Sequence, residues 1–491
     1  MNTLGRQVGN GIAWNLANMV VSRGASVVFT LFLARFLTPD AFGLMAMIAI
    51  CYALADVLMV SGFGQAIIRQ KQLEDIDLST AFVTNLAFSV LIYLALYLSA
   101  PWVAYFYEQP ELIALIRVIG LVLFINAFKV VQLALLNRAM DFKSLMRINS
   151  TATIVAGIIA VLMAYAGLGV WSLIAQFMIA AAVSTSLLWL SGGWQRPSLA
   201  FSMPAFRRMF GFGSKLTLES TLNVLYENSY VLVIGRVFSA EATGLYYFAK
   251  RIRDLVVDQL NSAVQQATYP AMAQLQDDLD GLRRMYRIVL QLLFYIMAPA
   301  LLLITVLADP LFKIAFDARW MPAVPYLQLL CIAGMLLPVH TINFNMLKVL
   351  GRTDLVLYTG ITKKAIHLAL LAGSIPFGLI GIVAGQILAV ALSSLYYMHC
   401  SATQIGYTWR AQLLDMFEPI AVAAASAGAT AWLMHAAGLN PSWHALAGGF
   451  CFAALYLLLS QLAGVAGHVF LKERLEAQLR RRGGKIQGTQ T

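Results

Sequence analysis

Charged side chains set inside long apolar runs are the residues of this chain that could do chemistry, and most of them fall between Lys215 and Gln265. Two helix-length segments joined by a tight turn carry Lys215, Glu219, Glu227, Lys250, Arg251, Arg253, Asp254 and Asp258 there. At the 3.6-residue period Lys215, Glu219, Asn223, Tyr226 and Tyr230 share one stripe, and Tyr247, Lys250, Asp254, Asp258, Asn261 and Gln265 share another. A charge at bilayer depth costs about 2.5–3.5 kcal/mol on insertion scales, so such stripes must face one another or a water-filled cavity. That arrangement suits moving a polar solute.

Other apolar runs carry fewer polar residues. Arg23 lies beside a stripe of Asn15, Asn18, Ser22 and Ser26; Asp56, Asn126 and Lys129 follow, then His340 with Asn343, and Lys363 and Lys364 with His367. Seven bases (Arg23, Lys129, Lys250, Arg251, Arg253, Lys363 and Lys364) stand against five acids (Asp56, Glu219, Glu227, Asp254 and Asp258). A cationic, hydrated interior suits an anionic solute, because lysine and arginine are natural partners of phosphate oxygens. Lys250 and Arg253 also have Asp254 within a turn and can serve as internal ion pairs. Lys129, Lys363 and Lys364 have no acid within a turn and are the better substrate candidates. The acids have two open readings: binding a driving proton or sodium ion, or balancing the bases. His340 and His367 lack ligand spacing and are expected to be hydrogen-bonded helix residues.

These residues must be positioned by membrane helices. The 491 residues are 60% hydrophobic and 12% charged, with mean hydropathy +0.75, against a charged share of about 25% in soluble domains. At about 20 apolar residues per span, fourteen are expected: 12–36, 42–68, 79–101, 112–137, 148–167, 169–191, 212–237, 242–270, 284–308, 322–348, 354–375, 377–400, 413–436 and 443–466. No small-residue cleavage site follows MNTLGRQVGNG, so the first run is expected to stay as a helix. With both termini in the cytoplasm, 22 of the 34 Lys and Arg fall on the inner side and five on the outer, a strong positive-inside asymmetry. The same spread over short loops argues against a nucleic-acid partner. Cys51, Cys331, Cys400 and Cys451 sit apart in apolar runs, with neither disulfide nor metal spacing.

The chain also repeats itself. ARFLTPDAFGLM (34–45) aligns with GRVFSAEATGLY (235–246) at an offset of 201 residues, and GLGVWSLIAQ (167–176) with FGLIGIVAGQ (377–386) at 210. The expected organisation is an all-α integral membrane protein with two parallel six-helix bundles, 1–200 and 201–405. Two additional helices, 406–470, and a basic cytoplasmic tail, 471–491, complete it. Parallel repeats of this kind are a transporter plan.

Several segments carry a family likeness: GFGQAIIRQKQLEDIDLSTAFVTNL (62–86), LLNRAMDFKSLMRINS (135–150), WQRP (194–197), FGSKLTLESTLN (212–223) and IGRVFSAEATGLYYFAKRIRDLVVDQLNSAVQQATYPAMAQLQDD (234–278). Together they resemble the multidrug/oligosaccharidyl-lipid/polysaccharide (MOP) exporter superfamily, and within it the Wzx-type flippases of the colanic acid exporter kind. One departure is Leu255-Val256-Val257, where such proteins often carry a proline after Tyr-x-x-Ala. The resemblance implies a flippase in the bacterial inner membrane. Its substrate would be an undecaprenyl-pyrophosphate-linked oligosaccharide bound for exopolysaccharide, capsule or lipopolysaccharide, and its partners membrane lipids and polysaccharide polymerase machinery. No cofactor beyond a coupling H+ or Na+ is expected. The rivals are a drug or cation antiporter and a lipid II flippase of the same superfamily. A membrane polymerase or ligase is a further one, though the longest outer segment, 309–321, offers no Ser-His-Asp, metal or paired-carboxylate constellation.

Overall fold

The computed structural model describes residues 24–60, 62–190, 199–438, 440–474 and 476, in which every regular element is helical. Arg23 with Asn15, Asn18 and Ser22, the WQRP segment and the tail from 477 onward lie outside the described residues. The chain divides into two compact units, Met1–Tyr247 and Phe248–Thr491.

The first unit contains α1 (Gly24–Phe36), α2 (Pro39–Val60), α3 (Phe63–Arg69), α4 (Asp75–Tyr107), α5 (Leu112–Ile119), α6 (Val122–Ala127), α7 (Val130–Arg138), α8 (Phe142–Tyr165), α9 (Val170–Leu190), α10 (Met203–Glu227) and α11 (Ser229–Val237). The division falls within α12 (Ala240–Ala273), and the second unit continues with α13 (Leu279–Ala315), α14 (Ala323–Val349), α15 (Thr353–Ser374), α16 (Gly378–Ile405), α17 (Trp409–Ala437) and α18 (Pro441–Ala463). Helix starts follow local chemistry: Asp141, Ser202, Asp278 and Thr408 each accept a backbone N–H of the first turn of α8, α10, α13 and α17.

The structure describes a multi-pass membrane protein. Among the described residues nine helices are long and apolar enough to cross a bilayer, or ten if the bent run α5 to α7 is one span, with α15 and α16 taken together across the 3-10 turn Ile375–Phe377. That count does not reach the fourteen spans the sequence suggests, of which the first lies partly outside the described residues, although most of the described part of each expected stretch is helical. The shortfall has a physical source in α10 and α12, whose charged residues dilute their apolar character. Three expected spans are also broken. The stretch 42–68 parts at Gly62, whose φ of 71° brings its backbone against Gly213 of α10. The stretch 112–137 is three short helices, and 212–237 breaks at Asn228.

Each unit has its own core. In the first, Phe63, Ile67, Phe82, Val131 and Met209 join α3, α4, α7 and α10. In the second, Tyr286, Leu290, Phe294, Ile342, Met346, Met398 and Met416 join α13, α14, α16 and α17. The last two helices are fastened to α13 by polar contacts: Asp415 accepts from Arg287 and Gln291, both at 2.8 Å, Tyr286 Oη donates to Gln412 at 2.9 Å, and Tyr456 Oη donates to the Tyr295 carbonyl at 2.8 Å.

The repeat is visible where α2 meets the start of α12. A Cβ at Gly43 would overlap the carbonyl of Ala240, and a Cβ at Gly244 would overlap that of Pro39. The two contacts exchange under the 201-residue shift, as they must if a two-fold pseudo-axis passes between the helices. Small residues let the backbones approach this closely. Gly43→Val or Gly244→Val should each cost about 1–3 kcal/mol through overpacking and lower the thermal midpoint of the detergent-purified protein. Gly211→Val, at a glycine with open space beyond it, serves as the control. Equal midpoints for all three would show that the close crossing does not matter.

Candidate functional site

A helix that carries no proline or glycine at its break needs another reason to bend, and the run from α5 to α7 supplies one at Lys129. The segments Leu112–Ala127 and Val130–Arg138 meet at 47°. The Lys129 N–H bonds the Asn126 carbonyl at 3.0 Å, one residue short of the α-helical partner. The Ile125 carbonyl is thereby released, and Thr185 of α9 donates its hydroxyl to it at 3.3 Å. Backbone groups freed at membrane depth are met by neighbouring side chains in this manner.

Three other polar residues gather at the same break. Asn126 Nδ2 donates to Tyr52 Oη at 2.6 Å and to Asp56 Oδ1 at 3.2 Å, and Tyr52 Oη donates to Asp56 at 3.3 Å. Lys129 lies within electrostatic range of Asp56. The acid that Lys129 lacks in its own helix thus comes from α2, a tertiary contact that spacing along α7 could not show. Asn126 Oδ1 and both amide ends of buried Gln132, one turn beyond Lys129, have no hydrogen-bond partner among the described residues. Buried polar atoms left in this way are ordinarily met by an ordered water. Tyr52, Gln132 and Thr185 were not singled out from sequence; the one available signal was Tyr52 four residues before Asp56, on the same helix face.

The remaining candidates of the first unit are apart from this cluster. Lys215, Glu219 and Glu227 are exposed along α10, with Glu219 accepting from Asn223 one turn on. The stripe expected from the sequence is therefore present on that helix up to Tyr226, and Tyr230 belongs to α11, where it is buried and stacked on Tyr246.

In the second unit the charges of α12 pair internally. Lys250 Nζ bonds Asp254 Oδ2 at 2.6 Å, and Arg253 Nε bonds Asp254 Oδ1 at 2.7 Å. Arg253 is 4% exposed and its stem occupies the space left by Gly334 of α14. One carboxylate answering two bases leaves this group net positive. Arg251 is half-buried and Asp258 exposed on the same helix. On α15, Lys363 and Lys364 are half-buried, and Lys363 lies within electrostatic range of His340 and His367. Both histidines are hydrogen-bonded: Ser393 Oγ stands 3.1 Å from His340 Nε2 and 3.3 Å from His367 Nε2. Among the described residues no group of His, Cys, Asp and Glu could hold a metal ion.

The α12 pairing makes a specific demand on stability. Asp254→Asn leaves Lys250 and buried Arg253 without their counter-charge and should cost about 3 kcal/mol. The double variant Asp254→Asn/Arg253→Met should recover part of that loss in a denaturation midpoint. A double variant as unstable as the single one would show that the charge is not what the acid answers.

Residues 32–325, more than half of the chain, match the family described as polysaccharide biosynthesis protein. The lipopolysaccharide biosynthesis protein WzxC of Escherichia coli strain K12 is 26% identical over 413 residues, covering 84% of each chain. The succinoglycan biosynthesis transport protein ExoT of Rhizobium meliloti strain 1021 is 25% identical over 407 residues, 82% of this chain and 80% of its own. The teichuronic acid biosynthesis protein TuaB of Bacillus subtilis strain 168 is 25% identical over 368 residues, 73% and 74% of the two chains. Among solved structures, the lipid II flippase MurJ in an inward closed conformation is similar with a TM-score of 0.69 at 11% identity, over 93% of this chain and 98% of that one. An inward-facing MATE family multidrug resistance transporter of the MOP superfamily gives 0.62 at 16% identity, over 79% and 94%. At such identities the structural likeness is one of fold, and the fold is that of the MOP exporters. With the sequence match running from α1 to α14, the chain belongs to the polysaccharide biosynthesis protein family.

Proposed function

We propose that this protein is a flippase carrying undecaprenyl-pyrophosphate-linked oligosaccharide repeat units across the bacterial inner membrane for assembly of a surface polysaccharide. The observation that carries the reading is the polar cluster at the Lys129 break, set among helices otherwise built for lipid. A lipid-linked sugar needs three things of its carrier. The pyrophosphate needs cations, which Lys129 and Lys363 offer at half-buried positions. The sugar hydroxyls need hydrogen-bonding groups, which Asn126 and Gln132 retain. The polyprenyl chain needs none and can stay in the bilayer, along exposed apolar surfaces such as Leu91 and Leu98 of α4.

Alternating access exposes these groups first to the cytoplasm and then to the outer side. The proposed coupling group is Asp56, which otherwise serves as the counter-charge of Lys129. While ionised it balances Lys129; a proton or sodium ion taken up at its carboxylate releases the lysine for phosphate. The Lys and Arg asymmetry supports both termini on the cytoplasmic side. Donating the assembled unit to polymerase machinery outside completes the path.

Deleting the gene should abolish surface polymer while complete lipid-linked repeat units accumulate in the inner membrane. Complementation with Lys129→Ala or Lys363→Ala should leave export at least tenfold below the unmodified protein at equal membrane abundance, a loss of about 1.4 kcal/mol or more. Lys129→Arg should export measurably better than Lys129→Ala. Elongated but unexported chains, or unchanged polymer with new sensitivity to cationic drugs, would refute the proposal. Normal export by both alanine variants would show that neither lysine contacts the substrate.

A further inference from the structure

The end of α3 and the first turns of α10 enclose a cavity of about 240 Å3, lined by Ala66, Arg69, Gln70, Arg208, Met209 and Phe212. Its charges are arranged unlike those of α12. Asp77 of α4 is 1% exposed and accepts from Gln70 Nε2 at 2.6 Å, from the Glu74 N–H at 3.3 Å and from one amine of Arg208. That carboxylate is fully engaged from several sides. The carbonyls around the end of α3 are answered as well: Arg138 donates to those of Ile67 at 2.8 Å and Lys71 at 3.0 Å, and to that of Gln70. The negative end of the α3 dipole therefore does not need the two arginines of the cavity. Arg69 rests on the face of Phe212, its guanidinium carbon 4.6 Å from the ring centroid, and the Arg208 side chain is 57% exposed beyond its contact with Asp77.

Two exposed guanidinium forks around one small cavity match a tetrahedral oxyanion, which arginine binds bidentately. The neighbouring surface says what the anion is attached to. Phe201, Met203 and Phe210, at the start of α10, are exposed large apolar residues, suited to an acyl or prenyl chain. Basic pockets between membrane helices on the cytoplasmic side bind lipid head groups in this way.

We propose that this cavity is a binding site for a lipid-borne phosphate, separate from the Lys129 cluster. The ligand chemistry is a phosphate ester at the cytoplasmic surface, supplied either by an anionic phospholipid of the bilayer or by the head group of a polyprenyl pyrophosphate. The site stands without the transport reading, since binding can be measured in the absence of flipping.

The test is native mass spectrometry of the delipidated, detergent-purified protein, titrated separately with phosphatidylglycerol, undecaprenyl pyrophosphate and zwitterionic phosphatidylcholine. One or both anionic lipids should be retained over phosphatidylcholine, and Arg69→Ala should weaken that retention about tenfold. Arg69→Lys, which keeps the charge but loses the fork, should fall between. Preference for phosphatidylglycerol assigns the site to the bilayer; preference for undecaprenyl pyrophosphate assigns it to a polyprenyl head group. Arg208→Lys serves in place of the alanine variant, which would strand the buried Asp77. Inorganic pyrophosphate should displace the bound lipid from the unmodified protein, so the outcome does not depend on any variant folding. Equal retention of all three lipids, or retention untouched by both Arg69→Ala and inorganic pyrophosphate, would overturn the proposal.

Discussion

In hydrocarbon no water answers a polar group, so each backbone carbonyl, amide and charge must find its partner within the protein or in a hydrated space that the protein encloses. The architecture follows from how the chain meets that requirement at its few polar positions. Where α6 gives way to α7, one hydrogen bond of the helix is shortened by a residue and the released Ile125 carbonyl is taken by Thr185. The bend is thus stable without proline. It also brings Lys129 within range of Asp56, which Tyr52 and Asn126 hold in place. A break that would be a defect in a lipid-facing span becomes the means of presenting a cation together with unfilled hydrogen-bonding capacity.

The internal repeat shows which constraints are structural and which are not. The crossing of α2 with the start of α12 keeps Gly43 paired with Gly244, and Pro39 with Ala240, at the 201-residue offset. Packing there admits almost no variation, since each carbonyl occupies the place of the other helix's Cβ. The charged pair of the Lys129 cluster is not repeated. At the same offset Asp56 corresponds to Val257, and at 210 residues Lys129 corresponds to Val339. The duplicated frame is conserved within the chain while its two halves carry different polar clusters.

The helical membrane class and the Lys250 to Asp254 pairing were legible because each rests on short-range pattern. A base and an acid four residues apart on a helix meet whatever surrounds them. Two of the breaks were not legible. Asn228 and the 128–129 junction lack the proline or glycine that marks a kink in sequence; at the second a neighbouring helix, through Thr185, answers the freed carbonyl, and at the first Asn228 itself donates to the Val224 carbonyl. Tyr52 escaped notice because a tyrosine in an apolar run reads as packing until Asn126, 74 residues away, is found 2.6 Å from its hydroxyl. Spacing also suggested that Lys129 stands without an acid, which is true of its own helix and untrue of its surroundings.

The choice between arginine and lysine follows the same logic of partners. Arginines take positions where several fixed acceptors must be held at once: Arg138 spans carbonyls around the end of α3, Arg253 lies buried against Asp254, and Arg287 joins α13 to Asp415 of α17. A rigid fork loses little entropy in making several bonds together. Lysine is a compact charge on a flexible stem, better suited to a partner that arrives and leaves. Lys129 and Lys363 are half-buried, beside a carboxylate in one unit and beside hydrogen-bonded histidines in the other. A carrier must hold its substrate weakly enough to release it. On the function proposed above, lysines that contact phosphate without a matching fork would meet that need, whereas arginines in the same places would bind the head group more tightly and slow its departure.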